Sequence, residues 1–192
     1  MCIGCQVVNQ LLAVSRLIWN NYSDYLYWNP IGEGSWSANT DGNVHIGSGA
    51  GNTMFSDANK YVAIGATALG KQLYGTNNTA VGYEALYNNT TGVYNTAIGT
   101  DAMRANTNGA RNTSVGMSTL SANTLGNNNS TLGFYALKDN TTGSDNTAIG
   151  TDAMRANTTG SFNTATGYLS LSSNTTGEFN TAYGSYSMEK NT

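Results

Sequence analysis

A seventeen-residue block recurs along most of this chain without a change of spacing. Its clearest copy reads NTAIGTDAMRANTTGSF and runs from Asn146 to Phe162. A fixed period of this size is typical of solenoids, in which each repeat forms one coil that stacks on its neighbour. The sequence therefore predicts an all-β fold, a parallel β-solenoid or β-roll of 17-residue coils, rather than a globular enzyme with a pocket.

The repeat contains two columns of asparagine. The first column consists of Asn78, Asn95, Asn112, Asn129, Asn146, Asn163 and Asn180. The second consists of Asn89, Asn106, Asn123, Asn140, Asn157, Asn174 and Asn191. Asparagine tolerates left-handed backbone and bonds its own neighbours at turns, and stacked asparagines form ladders between strands. We therefore predict that both columns mark corners of the coil.

Between these corners, the stretch N-T-A-I-G predicts one strand per coil, with side chains that alternate between the two faces. The small residues at Ala80 and its equivalents suit a tight interior. The opposite face carries an apolar column, whose clearest members are Val81, Ile98, Val115, Leu132 and Ile149. The segment G-x-x-A-L/M that follows is too short for its periodicity to distinguish a second strand or irregular coil from a single helical turn.

A further column contains only leucine and methionine: Leu69, Leu86, Met103, Leu120, Leu137, Met154, Leu171 and Met188. We expect a coil with so short a repeat to be thin, with an interior that holds little more than alanine and glycine. On that premise both apolar columns lie outside and need cover from other chains, because monomers rarely expose long apolar stripes. The sequence thus predicts a homotrimer in which these two columns form the interface.

Residues 1–42 differ from the repeats. Val7, Leu11, Val14 and Ile18 follow helical spacing and predict one short amphipathic helix. An aromatic group comes next: Trp19, Tyr22, Tyr25, Tyr27 and Trp28. Aromatic side chains contribute strongly to contacts between proteins, so we expect residues 1–42 to be an anchoring segment that docks on a larger particle. The alternative is that these aromatics form a small core of their own.

The repeat domain occupies residues 43–192. Its first coil is atypical, since the step from Gly47 to Gly65 is one residue longer than every later step between equivalent glycines. The last repeat begins at Asn180 and breaks off at Thr192, before the repeat is complete. Solenoids need capping at their ends, so we expect this open-ended array to continue in a longer fibre or to be capped by a partner.

Composition narrows the classes of partner. Only 10% of residues are charged, and the net charge is −3. There is no basic patch of the kind that binds nucleic acid and no Lys/Arg cluster for an anionic membrane. The apolar segment at 11–18 is interrupted by Arg16, is too short to span a bilayer and lacks the features of a secretory signal. We therefore expect synthesis in a cytoplasm, no nucleic acid and no membrane insertion.

Catalytic and metal-binding patterns are not evident in the sequence. The single histidine, His45, lies in the atypical first coil, and Cys2 and Cys5 form a C-x-x-C without the context of a redox or zinc site. Asp101 and Arg104 recur in an identical context three repeats later, which indicates a repeated surface pair worth little energy. We therefore expect a protein that is not an enzyme and uses no cofactor or metal.

Two families carry similar repeats. V-A-I-G at 62–65 and N-T-A-I-G-x-x-A at 95–102 and 146–153 resemble the N-S-V-A-I-G-x-x-[AS] repeat in the head domains of YadA-type trimeric autotransporter adhesins. That resemblance implies a left-handed parallel β-roll with three chains side by side. The longer form N-T-A-x-G-x-x-A-L-x-x-N-T-T-G also resembles repeats of phage tail-fibre and head-fibre proteins. The adhesin repeat is shorter, so this resemblance implies that N-T-T-G is an insertion in the present chain.

Three functions follow as expectations. The first is a structural protein of a virus particle, most readily a bacteriophage fibre or capsid-decorating spike, located on the virion and able to meet a host-surface glycan or receptor. The second is a bacterial trimeric surface adhesin head at the cell surface. The third is an ice-binding protein, since two ranks of threonine run along the coils. One begins at Thr79 and Thr96, and the other at Thr90 and Thr107.

Overall fold

The computed structural model describes residues 43–51 and 60–191. These residues form nine strands, one per coil, and each strand is only three residues long. The strands are β1 (Val44–Ile46), β2 (Val62–Ile64), β3 (Thr79–Val81), β4 (Thr96–Ile98), β5 (Thr113–Val115), β6 (Ser130–Leu132), β7 (Thr147–Ile149), β8 (Thr164–Thr166) and β9 (Thr181–Tyr183).

The strands form one parallel sheet in the order of the sequence, from β1 to β9. From β2 onward, each residue pairs with its equivalent one repeat later, as Ala80 does with Ala97, whereas the step from Val44 to its partner Val62 is one residue longer. The prediction of an all-β parallel solenoid of 17-residue coils is confirmed. No helix occurs in residues 43–51 and 60–191, and the helix predicted near the N-terminus lies outside the described residues.

The rest of each coil is a series of tight turns that also bond from coil to coil. The backbone N–H of Leu86 donates to the oxygen of Ala102 at 3.0 Å, and that of Thr90 donates to the oxygen of Thr107 at 2.9 Å. The G-x-x-A-L segment is neither a strand nor a helical turn, because Glu84 and Leu86 both have φ of 52°. Hydrogen bonds therefore connect neighbouring coils on the turn side as well as on the strand side.

The interior of the solenoid contains three apolar columns, not one. From β2 to β9 the small residue at the centre of each strand is buried, and so is a second small residue at Ala85 and its equivalents as far as Ser170. Because both are small, they leave room for one large side chain in each coil. The leucine or methionine fills that room, and Leu69, Leu86, Met103, Leu120, Leu137, Met154 and Leu171 are all 0% exposed.

The expectation that the leucine and methionine column lies outside is therefore wrong. A side chain that its own coil already covers has no surface left for a second chain, so Leu69, Leu86 and Leu171, for example, are core residues rather than trimer contacts. Met188 lies in the last coil and is 40% exposed, because no described coil stacks beyond it.

Glycine is required at the end of each strand. The residues equivalent to Gly82 have φ values from 112° to 136° in every coil. A Cβ atom on Gly82 would stand 2.5 Å from the oxygen of Gly99 in the next coil. Only glycine combines this backbone conformation with so close an approach of two chains.

Candidate interaction surfaces

The asparagine corners are internal ladders rather than surface features. Nδ2 of Asn123 donates to Oδ1 of Asn106 in the preceding coil at 2.8 Å and to the oxygen of Gly126 at 3.0 Å, while Oδ1 of Asn123 accepts from Asn140 at 2.9 Å. Six residues of this column, Asn89, Asn106, Asn123, Asn140, Asn157 and Asn174, are 0% exposed, and Asn191 in the last coil is partly exposed. Their side chains stabilise the stack and are not available to a ligand.

The first asparagine column works in a different way. Oδ1 of Asn78 accepts from the backbone N–H of Asn95 at 2.9 Å, and Nδ2 of Asn78 donates to the oxygen of Gly92 at 2.8 Å. Neither column uses the left-handed backbone that we expected, since neither has a positive φ in the described part of the chain. Left-handed backbone occurs instead at the residue before the first column, as at Tyr94 with φ of 57°.

The glycine of N-T-T-G has a structural role that we did not predict from the sequence. The oxygen of Gly92 accepts from both Asn78 and Asn89. A Cβ on Gly92 would lie 2.5 Å from the oxygen of Gly109 and would also collide with Oδ1 of Asn89. Its strict 17-residue spacing was the available sequence signal.

The first coil contains the only histidine of the chain. Nδ1 of His45 lies 3.1 Å from the oxygen of Ala50, and Nε2 lies 2.8 Å from the hydroxyl of Tyr61. Burial lowers the pKa of His45 below its usual value, an effect that the bond to Ala50 only partly offsets. These contacts give His45 a packing role in the first coil, at the centre of the strand, where β2 and β3 carry alanine.

The two threonine ranks differ in their hydrogen bonding. In the turn rank, Oγ1 of Thr90 donates to the oxygen of Thr107 at 3.1 Å, and Thr107 donates in the same way to Thr124. The strand rank comprises Thr79, Thr96, Thr113, Thr147, Thr164 and Thr181. These side chains project from the outer face of the sheet, and their hydroxyls donate no hydrogen bond within the described residues. Of the two ranks, the strand rank is therefore the one whose hydroxyls are free to bond solvent or a ligand.

The valine and isoleucine column also faces outward from the sheet. Ile98 and Ile149 are each 40% exposed and Leu132 is 51% exposed, while Val81 and Val115 are half-buried. Two positions further along the repeat, large apolar side chains are again exposed, at Tyr83, Met117, Phe134 and Tyr168. We call the strand threonines and the valine and isoleucine column together the outer sheet face.

Charged residues gather on two pairs of coils. Arg104 pairs with Glu84 of the preceding coil and lies 3.5 Å from Asp101 of its own. Hydrogen bonding by the Arg104 guanidinium lowers the pKa of Glu84, and Glu84 in turn raises the pKa of Tyr83.

The equivalent group three coils later retains the Arg155–Asp152 pair at 3.6 Å, with the Arg155 guanidinium 5.6 Å from the centre of the Tyr135 ring. The arginines of both groups are exposed, so the pairs add little stability.

The remaining predictions concern the aromatic docking residues, metal binding and membrane insertion. Trp19, Tyr22, Tyr25, Tyr27 and Trp28 lie outside the described residues. Within residues 43–51 and 60–191, histidine, cysteine and acidic side chains form no group of three that could hold a metal ion. The same residues include no helix with the length and hydropathy needed to cross a membrane.

Comparison with known proteins gives no match: no family model, no curated protein and no solved structure is similar to the chain.

Proposed function

We propose that this chain is a structural protein of a virus particle, a bacteriophage fibre or capsid-decorating spike that is anchored by residues 1–42 and projects its solenoid outward. The observation that carries the proposal is the uniform interior. From β2 to β9 each coil repeats the same register, and from β3 onward the coils also repeat the same asparagine ladders. At about 4.8 Å per coil, the stack from β1 to β9 is a rod about 38 Å long, whose length depends on the number of coils.

The duplication of coils favours a role in reach or surface display and argues against a role that depends on a single binding site. The stretch NTAIGTDAMRANT occurs identically at 95–107 and 146–158. Each copy contributes a strand with the same register and a buried methionine. An inserted block of coils lengthens such a rod without disturbing its neighbours, because repeats contact only the next repeat.

The outer sheet face is the proposed contact between three copies of the chain. The apolar surface of this face is smaller than the sequence predicted, because the leucine and methionine column lies in the core and only the valine and isoleucine column lies outside. Ile98, Leu132 and Ile149 remain exposed and follow one line along the stack. Closed symmetry is the rule among homo-oligomers, and a ring of three rods covers one such face on each rod.

The oligomer is tested by sedimentation equilibrium. We expect the wild type at three times the mass of the chain, and we expect the double variant Leu132→Lys/Ile149→Lys to be a folded monomer. The matched control, Thr142→Lys/Thr159→Lys, places the same charges on the exposed turns of the same two coils and is expected to remain trimeric. A trimeric Leu132→Lys/Ile149→Lys variant would show that the interface lies elsewhere.

The virion location is tested by co-purification with particles. Stoichiometric recovery with virus particles through successive density gradients supports the proposal. Recovery in the envelope fraction of a bacterium would instead support the alternative, a trimeric adhesin head. Either class of structure can present its surface to a host glycan or receptor.

Ice binding is a second candidate, favoured by the free hydroxyls of the strand rank. Thr96 pairs directly with Thr113 and Thr147 with Thr164, so the threonines form a line at the spacing of the coils, interrupted by Ser130. This use of the outer sheet face requires a monomer, because a trimer would cover it. Thermal hysteresis that disappears in Thr96→Lys/Thr113→Lys but persists in Thr142→Lys/Thr159→Lys would establish it, and no hysteresis in the wild type would end it.

A further inference from the structure

The corner motif N-T-T is also the acceptor sequence for N-linked glycans, which consists of asparagine, any residue except proline, and serine or threonine. Nine such sequences lie in residues 60–191. Their asparagines are Asn77, Asn88, Asn89, Asn112, Asn128, Asn129, Asn140, Asn157 and Asn174. In secreted proteins this sequence ordinarily marks a surface loop.

The solenoid reverses that expectation at six of these positions. Asn89, Asn112, Asn129, Asn140, Asn157 and Asn174 are each 0% exposed. The other three point outward: Asn77 and Asn128 are exposed, and Asn88 is partly exposed.

Nδ2, the atom that would carry the glycan, is committed inside the coil. Nδ2 of Asn140 donates to Oδ1 of Asn123 at 2.9 Å and to the oxygen of Gly143 at 2.9 Å. A glycosidic bond replaces one of these N–H donors. It also attaches a bulky polar group where the neighbouring coil lies only about 4.8 Å away. The stack cannot close around such a group.

We infer that folding of this chain and N-glycosylation of its corner asparagines exclude each other. Oligosaccharide transfer acts on the sequence motif, which the unfolded chain displays at every corner. The solenoid therefore folds from chains that have not met such a transfer system, or at least not at these six positions. This inference depends only on the buried corners and stands whether or not the proposed virion role is correct.

A variant of the chain can lose the six buried acceptor sequences and still keep every corner asparagine. Thr91→Ala, Thr142→Ala, Thr159→Ala and Thr176→Ala alter exposed turn residues whose hydroxyls donate no hydrogen bond within the described residues. Ser114→Ala and Thr131→Ala restore the alanine that other coils carry at the centre of the strand. The six changes eliminate the six buried acceptor sequences and leave those at Asn77, Asn88 and Asn128 intact.

The experiment directs the full chain, fused to a signal peptide, through a eukaryotic secretory pathway. Ser23→Ala is included in every form, since it removes the acceptor sequence at Asn21 outside the described residues. We expect the six-substitution variant to be secreted as a protease-resistant solenoid that shifts in mass on glycosidase treatment. The chain with its corner sequences intact is expected to be glycosylated and retained, with loss of the secreted form.

Two controls keep the result decisive. Both chains are made in a bacterial cytoplasm, where both are expected to fold. In the secretory host, an inhibitor of lipid-linked oligosaccharide synthesis is expected to restore secretion of the unsubstituted chain. A secreted, protease-resistant chain with a glycan mapped to Asn89, Asn140 or Asn157 would overturn the inference, as would a chain that stays retained when glycan synthesis is blocked.

Discussion

Replacement of Asn123 by alanine tests whether the asparagine ladder, rather than the strand alone, holds the coils together. The substitution removes three hydrogen bonds, those to Asn106, Gly126 and Asn140. At about 1 kcal/mol net for each bond, the loss is about 3 kcal/mol. Oδ1 of Asn106 then stays buried without a donor, which brings the expected cost to between about 3 and 5 kcal/mol.

Two further variants set the scale. Asn108→Ala changes an exposed asparagine two residues after a ladder position, with no side-chain hydrogen bond in the described residues, so its cost is expected to stay within about 0.5 kcal/mol. Asn174→Ala removes only the bonds to Asn157 and Gly177, because Oδ1 of Asn174 has no donor. Its cost is expected to fall between those of Asn108→Ala and Asn123→Ala.

Urea unfolding followed by circular dichroism measures the three free energies of unfolding under the same conditions. A large fall in midpoint for Asn123→Ala, a smaller one for Asn174→Ala and almost none for Asn108→Ala is the expected order. If Asn123→Ala unfolded at the same urea concentration as Asn108→Ala, the ladder would contribute nothing and this reasoning would be refuted.

Three other perturbations test the coil. Gly82→Ala should lower the free energy of unfolding by more than about 2 kcal/mol, since it combines strained backbone with a collision. Gly70→Ala, at a position where other coils carry side chains, should cost less in the same urea assay. Acidification should destabilise the first coil. Because the folded-state pKa of His45 is lowered, its contribution is present above pH 6.5 and is lost as the pH falls through the folded-state value. Between pH 7 and pH 5, the midpoint temperature of thermal unfolding should fall more for the wild type than for His45→Gln. Deletion of the coil at 112–128 should leave a folded, shorter solenoid by circular dichroism and limited proteolysis, whereas deletion of 112–119 should abolish folding.

The period was enough to predict the coil, the strand and the pairing register. A repeat step that never slips forces equivalent residues into adjacent positions, so the pairing of Thr79 with Thr96 and of Ala80 with Ala97 follows from the sequence alone. Alternation within the strand likewise predicted that Ala80 faces inward and Val81 outward. These features depend on local geometry that a sequence pattern records directly.

The location of the leucine and methionine column was mispredicted because the size of the interior was judged from the strand alone. A signal was nevertheless present. Leu86 and Met103 have φ of 52° and 53°, and β-branched residues are strongly disfavoured at positive φ. A column of large apolar residues that never contains valine or isoleucine therefore indicates left-handed backbone. The outer column does contain valine and isoleucine because its residues lie in a strand.

For the candidate surfaces, the sequence predicted only those features that follow from the geometry of the coil. The sequence distinguished an outward apolar column, but it did not reveal that the hydroxyl of Thr90 is bonded within the stack while that of Thr96 is free. That difference arises from the direction of each side chain relative to the neighbouring coil. Likewise, whether Asn89 can be modified depends on its burial, which the acceptor sequence does not record.

The direction of the hydrogen bonds between coils has a mechanical consequence. All of them run along the rod, since each joins one coil to the next. A force that pulls the two ends apart therefore loads these bonds along their own direction. The coils separate one after another, and the many hydrogen bonds do not have to break at the same time. Each released coil would free up to about 56–61 Å of extended chain. A single rod is thus weak under tension along its axis, and side-by-side association would let several rods share the load.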